Sequence, residues 1–183
     1  AAMVIICEDK SKLDQNEAKR KIQYWQSIES PCFTRFHEWA YGGGNRKIIV
    51  EEFLDAGKGK PPEDYKIFCF NGEPKLIQVD FDRFDGHRRG FYDLDWQLLP
   101  FEWKVQAKQG ACPPPRQLEK MLKIAKALSE DLPFARIDLY EIGDRVVFGE
   151  ITLYPAAGYG RFVPDRYDEV VGDMLTLPDP IRP

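Results

Sequence analysis

The chain has 183 residues, and its 26 Lys and Arg against 30 Asp and Glu give a formal net charge of −4. This length suits one domain or two small ones, and 43% hydrophobic with 13% aromatic residues excludes a disordered chain. With no basic cluster and no apolar stretch of about 20 residues, the composition argues against a nucleic-acid-binding protein and against a membrane span. No signal-peptide pattern opens the chain, so we expect a cytoplasmic protein.

The first third of the chain predicts a strand, a helix, a loop and a second strand. Residues 3–8 are rich in β-branched side chains, and an acidic N-cap followed three residues later by Glu predicts a helix over 14–28. Residues 30–46 include three consecutive glycines and predict a loop. Residues 47–54 predict an apolar strand that ends in acidic residues.

The middle of the chain predicts a hairpin, a third strand and a helix. The hairpin has strands at 65–70 and 74–81, joined across Asn71-Gly72, which is the strongest short hairpin signal. A third strand over 90–93 follows a turn at Asp85-Gly86. Apolar residues at helical spacing then predict a helix over 116–130.

The last third predicts another hairpin, with strands at 134–141 and 146–153, and a short helix over 164–175. Hairpins therefore alternate with single helices, and no strand is followed by a crossover helix. This order predicts an α+β fold with antiparallel sheets and flanking helices.

The last hairpin carries charged side chains on one face, because side chains alternate along a strand. The two-residue period places Arg136 and Asp138 on one face, and it places Phe148 with Glu150 and Thr152. A three-residue connection would then set Asp138 directly opposite Glu150, with their Cβ atoms about 4.5–5.5 Å apart.

Two carboxylates at that distance destabilise each other unless a cation lies between them. Mg²⁺ would suit Asp138 and Glu150, because it binds one or two carboxylates together with substrate phosphates. Arg136 could hold a phosphate through its planar guanidinium. Alternatively, both carboxylates lie on a solvated sheet face and Arg136 only pairs with them. The pair would also be compatible with the acid and base of a glycosidase.

Several segments together resemble the TupA-like family of the ATP-grasp superfamily, which is associated with bacterial teichuronopeptide and capsular polysaccharide synthesis. The likeness extends from about Val4 to Leu177. The segments that carry it are 50–54 (VEEFL), 64–72 (DYKIFCFNG), 91–93 (FYD), 136–138 (RID) and 149–155 (GEITLYP).

The resemblance implies an ATP-grasp-like fold in two parts. Residues 3–54 would be a remnant of the small subdomain with its hinge strand, and residues 55–183 would be the C-terminal subdomain with the metal-binding hairpin. Members of the superfamily carry a lysine and a Gly-rich loop before the strand at 3–7, and this chain begins after both. We therefore expect an N-terminally truncated enzyme, with an oligomer or a partner covering the missing part.

The resemblance also implies the nucleotide-binding residues. The backbone carbonyl of Glu52 and the backbone N–H of Leu54 would bind adenine, with Glu51 nearby. Asp64 would lie near the ribose or the substrate. Lys66 and Arg83 would contact phosphates.

For the final hairpin, the resemblance implies a catalytic Arg136 and metal ligands at Asp138, Glu150 and Thr152. Many members have Asn where this chain has Thr152, so Thr152 departs from the usual pattern.

The implied activity is an ATP- and Mg²⁺-dependent ligase that activates a carboxylate as an acylphosphate for attack by an amine or another nucleophile. The carboxylate would belong to a small molecule or be linked to a polysaccharide. Two alternatives stay open: a nucleotide-binding or assembly module without catalysis, and a glycosidase or glycosyltransferase that acts on polysaccharide.

Overall fold

The computed structural model of the protein describes residues 3–28, 36–42, 47–57, 62–81, 87–103 and 108–177. It has two compact units, Ala1–Leu54 and Asp55–Pro183. The assignment of these units to the two parts of an ATP-grasp enzyme stays a prediction. The turn predicted at Asp85-Gly86 and most of the loop predicted over 30–46 lie outside the described residues.

The first unit contains the predicted helix, α1, at Gln15–Ser27. The Asp14 carboxylate caps it, accepting the backbone N–H groups of Asn16 and Glu17 at 2.9 Å each. Because these N–H groups have no partner within the helix, the cap satisfies them and fixes where the helix begins. Two short 3₁₀ helices, Lys10–Lys12 and Trp39–Tyr41, complete the regular structure described for this unit.

The strands predicted over 3–8 and 47–54 are wrong, since both segments lack regular secondary structure. Ile49 is 77% exposed and Val50 is 91% exposed. A strand needs a partner for its backbone hydrogen bonds, and no described residue pairs with either segment. Local β propensity alone does not form a strand.

The described residues of the second unit form eight strands and two α-helices, and the antiparallel sheet with flanking helices confirms the α+β prediction. The elements are β1 Asp64–Phe70, β2 Glu73–Phe81, β3 Arg88–Tyr92, β4 Glu102–Trp103, β5 Lys108–Gln109, α2 Leu118–Ser129, β6 Phe134–Ile142, β7 Arg145–Thr152, 3₁₀ helix Pro155–Gly158, β8 Phe162–Val163 and α3 Arg166–Gly172. The main sheet has the order β5-β3-β2-β1-β6-β7, and all its pairs are antiparallel except β3 with β5. Strands β4 and β8 form a separate pair.

The β1–β2 turn is the predicted two-residue hairpin, with left-handed φ values of +50° at Asn71 and +80° at Gly72. The side chain of Asn71 also fastens a distant segment. Its Nδ2 donates to the carbonyl of Thr176 at 2.7 Å, and its Oδ1 accepts the Thr176 N–H at 2.8 Å.

Helix α2 covers one face of the sheet, as its apolar stripe predicts. Met121 and Ala125 are fully buried there against Ile67, Ile77 and Ile137 from the central strands. Helix α3 is shorter than the predicted span 164–175, and it ends at Gly172. None of the described helices has the length and the apolar composition that a membrane span requires.

The opposite face of the sheet is divided between aromatic and charged side chains. Its aromatic half surrounds Phe68. The ring centroid of Phe68 lies 6.1 Å from each of the ring centroids of Phe91, Trp103 and Phe134. Its charged half lies on the same strands, beyond Phe68, and forms the candidate site.

Candidate functional site

The charged half of the sheet face is built by side chains that alternate with core residues along β1, β2, β6 and β7. In the strand register, Lys66 lies between Gln78 on β2 and Asp138 on β6, and Asp138 lies beside Glu150 on β7. Arg136 lies opposite Thr152. The sheet therefore places one row of polar side chains across four neighbouring strands, and the members on β1, β6 and β7 form its charged part, the charged row.

Arg136 joins both carboxylates that the sequence paired. Its Nε donates to Asp138 Oδ1 at 2.7 Å, and its Nη2 donates to Asp138 Oδ2 and to Glu150 Oε1 at 2.8 Å each. The same Nη2 lies 2.9 Å from Thr152 Oγ1, which donates to Glu150 Oε1 at 2.8 Å. The guanidinium thus occupies the space between the carboxylates in this state of the protein.

Lys66 is the second cation on Asp138. Its Nζ lies 2.5 Å from Asp138 Oδ2 and 2.5 Å from Asp64 Oδ2, and its side chain is 12% exposed. Asp64 and Asp138 are each about 1% exposed. Such buried carboxylates are tolerated because charged donors compensate for the lost hydration.

The pairing of Asp138 with Glu150 depends on a bulge that the sequence did not reveal. The β6–β7 turn has two residues, since Ile142 pairs with Arg145, and the predicted three-residue connection is wrong. The register then shifts by one residue after Leu139 pairs with Phe148, so that Gly149 is the extra residue. Phe148 therefore pairs with the core residue Leu139 and lies on the opposite face of the sheet from Glu150. The prediction that Phe148 and Glu150 share one face, which assumed strict alternation along β7, is wrong.

Burial and charge act in opposite directions on the groups of this site. Burial lowers the pKa of Arg136, but the hydrogen bonds and charge of Asp138 and the charges of Glu150 and Asp64 together raise it by more, so its pKa is raised overall. Burial raises the pKa of Asp138, and the hydrogen bonds and charges of Arg136 and Lys66 oppose that shift. The arrangement is a buried ion pair network with one exposed member, Glu150, whose side chain is 62% exposed.

A second network lies beside the first, and sequence reasoning missed it. Asp80, which is 4% exposed, accepts hydrogen bonds from Arg89 Nε at 2.6 Å, Arg89 Nη2 at 3.1 Å and Gln78 Nε2 at 2.9 Å. His87 Nε2 lies 3.1 Å from the same carboxylate. The available signal was the alternation in β2, where the polar Gln78 and Asp80 flank Val79.

The acid stability of the fold should depend on Asp80. Burial raises its pKa, but the hydrogen bonds and charge of Arg89, the hydrogen bond of His87 and the charge of Lys66 together lower it by more, so the folded pKa lies below the ordinary value. Such a group stabilises the fold above the unfolded pKa of about 3.9, and this stabilisation is lost as the pH falls through the folded pKa. We expect Asp80→Asn to cost about 3 kcal/mol of unfolding free energy at pH 7 and clearly less near pH 3, measured by urea denaturation.

Ile77→Val, on the same strand but facing the α2 core, is the control for this prediction. It should cost about 1 kcal/mol at both pH values, because no ionisable group is involved. If Asp80→Asn were equally destabilising at both pH values, Asp80 would not contribute through its charge.

The three residues predicted to bind a metal supply two carboxylates and one hydroxyl. No group of three or more His, Cys, Asp or Glu side chains capable of holding a metal occurs in the described ranges. Asp138, Glu150 and Thr152 nevertheless supply the hard oxygen donors that Mg²⁺ prefers, and Mg²⁺ usually keeps phosphate and water ligands as well. The donor chemistry therefore fits Mg²⁺, with Arg136 lying against all three side chains.

The structure brings together six of the residues predicted for the site: Asp64, Lys66, Arg136, Asp138, Glu150 and Thr152. Glu51, Glu52 and Leu54 belong to the first unit, in the irregular segment, where both glutamates are exposed. Arg83 lies outside the described residues. The roles of all these residues stay predictions.

Comparison with known proteins gives a family match. The family described as TupA-like ATPgrasp matches residues 1–176, which is nearly the whole chain. No curated protein and no solved structure matches the chain. With a match of this extent, the chain belongs to the TupA-like ATP-grasp family.

Proposed function

We propose that this protein acts as an ATP- and Mg²⁺-dependent ligase that joins a carboxylate to an amine or another nucleophile through an acylphosphate. The γ-phosphoryl group of ATP would pass to the carboxylate and leave ADP, and the nucleophile would then displace phosphate. The substrate would be a carboxylate of a cell-surface polysaccharide or teichuronopeptide precursor, as the family resemblance implies.

The observation that carries this proposal is the charged row on the sheet face. Lys66 and Arg136 place two cations beside Asp138, and Glu150 leaves an exposed carboxylate at the end of the row. Phosphoryl transfer depends on positioning and on neutralising charge, and it needs no protein nucleophile. A row of cations and metal-binding oxygens supports that chemistry.

Asp138, Glu150 and Thr152 would hold the Mg²⁺ ion, which when bound neutralises charge on the nucleotide phosphates. Arg136 now donates to all three of these side chains. We propose that its guanidinium donates to a phosphate in the nucleotide complex, where its planar geometry suits the phosphate oxygens.

The remaining contacts follow the family resemblance. We propose that the backbone of Glu52 and Leu54 binds the adenine, with Glu51 nearby, and that Asp64 lies close to the ribose or the acceptor. Lys66 and Arg83 would contact phosphates.

Nucleotide binding tests the first half of the proposal. MgATP at about 100 times its Kd should stabilise the chain by about 2.7 kcal/mol, seen as a rise in Tm that disappears without Mg²⁺. The double variant Asp138→Asn with Glu150→Gln should lose this rise. Glu73→Gln, which removes an exposed carboxylate paired with Lys126, should retain it.

Turnover tests the second half. The protein encoded by the whole open reading frame should release ADP from MgATP faster when a carboxylate acceptor and an amine are present. Stabilisation by MgATP without any product would favour a nucleotide-binding module instead. Polysaccharide cleavage without nucleotide would favour the glycosidase interpretation.

A further inference from the structure

Lys66 lies between two different acceptors in the strand register. Asp138 is its direct neighbour on β6 and Gln78 is its direct neighbour on β2. Directly opposite residues have Cβ atoms about 4.5–5.5 Å apart, so the long lysine side chain can reach either neighbour. In this structure its Nζ lies 2.5 Å from Asp138 Oδ2.

Gln78 has an acceptor that is not used. Its Nε2 donates to Asp80 Oδ2 at 2.9 Å, and because a carboxylate only accepts, this contact fixes which end of the amide is nitrogen. Its Oε1 is buried and has no hydrogen-bond partner among the described residues. Gln78 as a whole is 1% exposed, and buried acceptors without partners are uncommon in folded proteins.

The charges of the row explain why a bound metal would move Lys66. A divalent cation on Asp138 would lie beside the Lys66 ammonium, and the two positive charges would repel strongly in a poorly hydrated site. Lys66 can leave Asp138 and stay paired with Asp64, which its Nζ also contacts at 2.5 Å. The unused Oε1 of Gln78 can then replace the lost acceptor.

We infer that Lys66 is a displaceable internal cation, which neutralises Asp138 in the metal-free protein and transfers to the side-chain oxygen of Gln78 when a divalent cation binds Asp138. Gln78 is in this view a positioning residue that receives the lysine. The inference rests on the metal site of the proposed function, but it concerns binding of the metal alone and needs neither ATP nor turnover.

The test is the affinity for Mn²⁺ without nucleotide, measured by the loss of the free Mn²⁺ signal in electron paramagnetic resonance. Lys66→Met should bind Mn²⁺ about tenfold more tightly than the wild type, because the competing cation is gone. Gln78→Leu should bind it about threefold more weakly, because the displaced lysine loses its second acceptor. Lys126→Met removes an exposed lysine paired with Glu73 and should leave the affinity unchanged.

Lys66→Met leaves two buried carboxylates with fewer partners and is checked for folding by circular dichroism. If it does not fold, Gln78→Leu decides the matter alone, since it keeps both ion pairs of Lys66. Wild-type affinity in Gln78→Leu, no tighter binding in folded Lys66→Met, or no Mn²⁺ binding by the wild type would each overturn the inference.

The outcomes also separate this inference from the proposed function. The expected Mn²⁺ pattern without MgATP stabilisation would leave the Lys66 inference standing and contradict the ligase. MgATP-dependent turnover, together with a Mn²⁺ affinity that neither Lys66→Met nor Gln78→Leu changes, would support the ligase and overturn the Lys66 inference.

Discussion

Replacing Asp138 with alanine is expected to lower the free energy of unfolding by about 3 kcal/mol, because two buried cations lose the partner they share. Asp138 accepts hydrogen bonds from Arg136 at 2.7 and 2.8 Å and from Lys66 at 2.5 Å. Asp64 and Glu150 still contact these cations in the variant, which keeps the loss at the lower end for a broken buried pair. Urea denaturation at pH 7 measures the change, and the same variant should lose stabilisation by MgATP.

Asp131→Ala is the control for this prediction, because Asp131 is an exposed acid in the turn between α2 and β6. It should change stability by less than about 0.5 kcal/mol. A comparably small loss in Asp138→Ala would mean that the charged row contributes little to the fold and that its burial has another explanation.

Gly149→Val should both destabilise the protein and weaken its response to MgATP. A Cβ at position 149 would lie 2.9 Å from Cε2 of Tyr140 and 3.0 Å from the backbone oxygen of Asp138. The strand must shift to relieve these contacts, at a cost of about 1–3 kcal/mol. Because the bulge at Gly149 sets Glu150 beside Asp138, we expect the shift to separate the two carboxylates. Chemical denaturation and the MgATP-induced change in Tm measure the two effects.

Gly143→Ala is the matched control in the same hairpin. Gly143 has a left-handed φ of +59°, so alanine costs about 1–2 kcal/mol there. The added Cβ would have no steric conflict, because no heavy atom outside the adjoining residues lies within 4 Å of its position. The control should therefore lose stability and keep its full response to MgATP. If Gly149→Val also kept that response, the bulge would not be needed for nucleotide binding.

The predicted pairing of Asp138 with Glu150 was correct although its derivation was not. A two-residue turn in a regular ladder would have placed Gly149 opposite Asp138, and the bulge moves Glu150 into that position. The assumed three-residue connection had the same effect on the register. Bulges depend on tertiary contacts such as the one between Gly149 and Tyr140, which the two-residue period of a strand does not contain.

The sequence correctly predicted the elements whose defining interactions lie between residues close in sequence. The N-cap at Asp14, the Asn71-Gly72 turn and the apolar stripe of α2 are each determined by neighbours in sequence. The segments over 3–8 and 47–54 had only β propensity, which forms a strand when another strand supplies hydrogen bonds. The short strands β4, β5 and β8 have two residues each, too few for any periodicity.

The sequence predicted the composition of the candidate site and, as one alternative, the pairing of Arg136 with Asp138 and Glu150, but it did not predict the contacts of Lys66. Charged residues on alternate positions indicated the row, and the resemblance added Lys66 and Asp64. Nothing in the sequence placed Lys66 on Asp138, since 72 positions separate them. The pairing of Asp80 with Arg89, only nine positions away, was not foreseen because the predicted third strand began at residue 90, after Arg89.

The ion pair between Lys66 and Asp138 also specifies how β1 and β6 align during folding. Sliding one strand by two residues in one direction would set Lys66 opposite Arg136 and Asp64 opposite Asp138, which are two like-charge pairs. Sliding it in the other direction would set Asp138 opposite Phe68 and leave the carboxylate without a cation across the strand. A slip of one residue would turn the charged side chains of the slipped strand toward the α2 core. The charged residues proposed to bind the nucleotide therefore also disfavour incorrect registers between β1 and β6. These two strands are far apart in sequence, so their pairing begins only after a long stretch of chain has been synthesised.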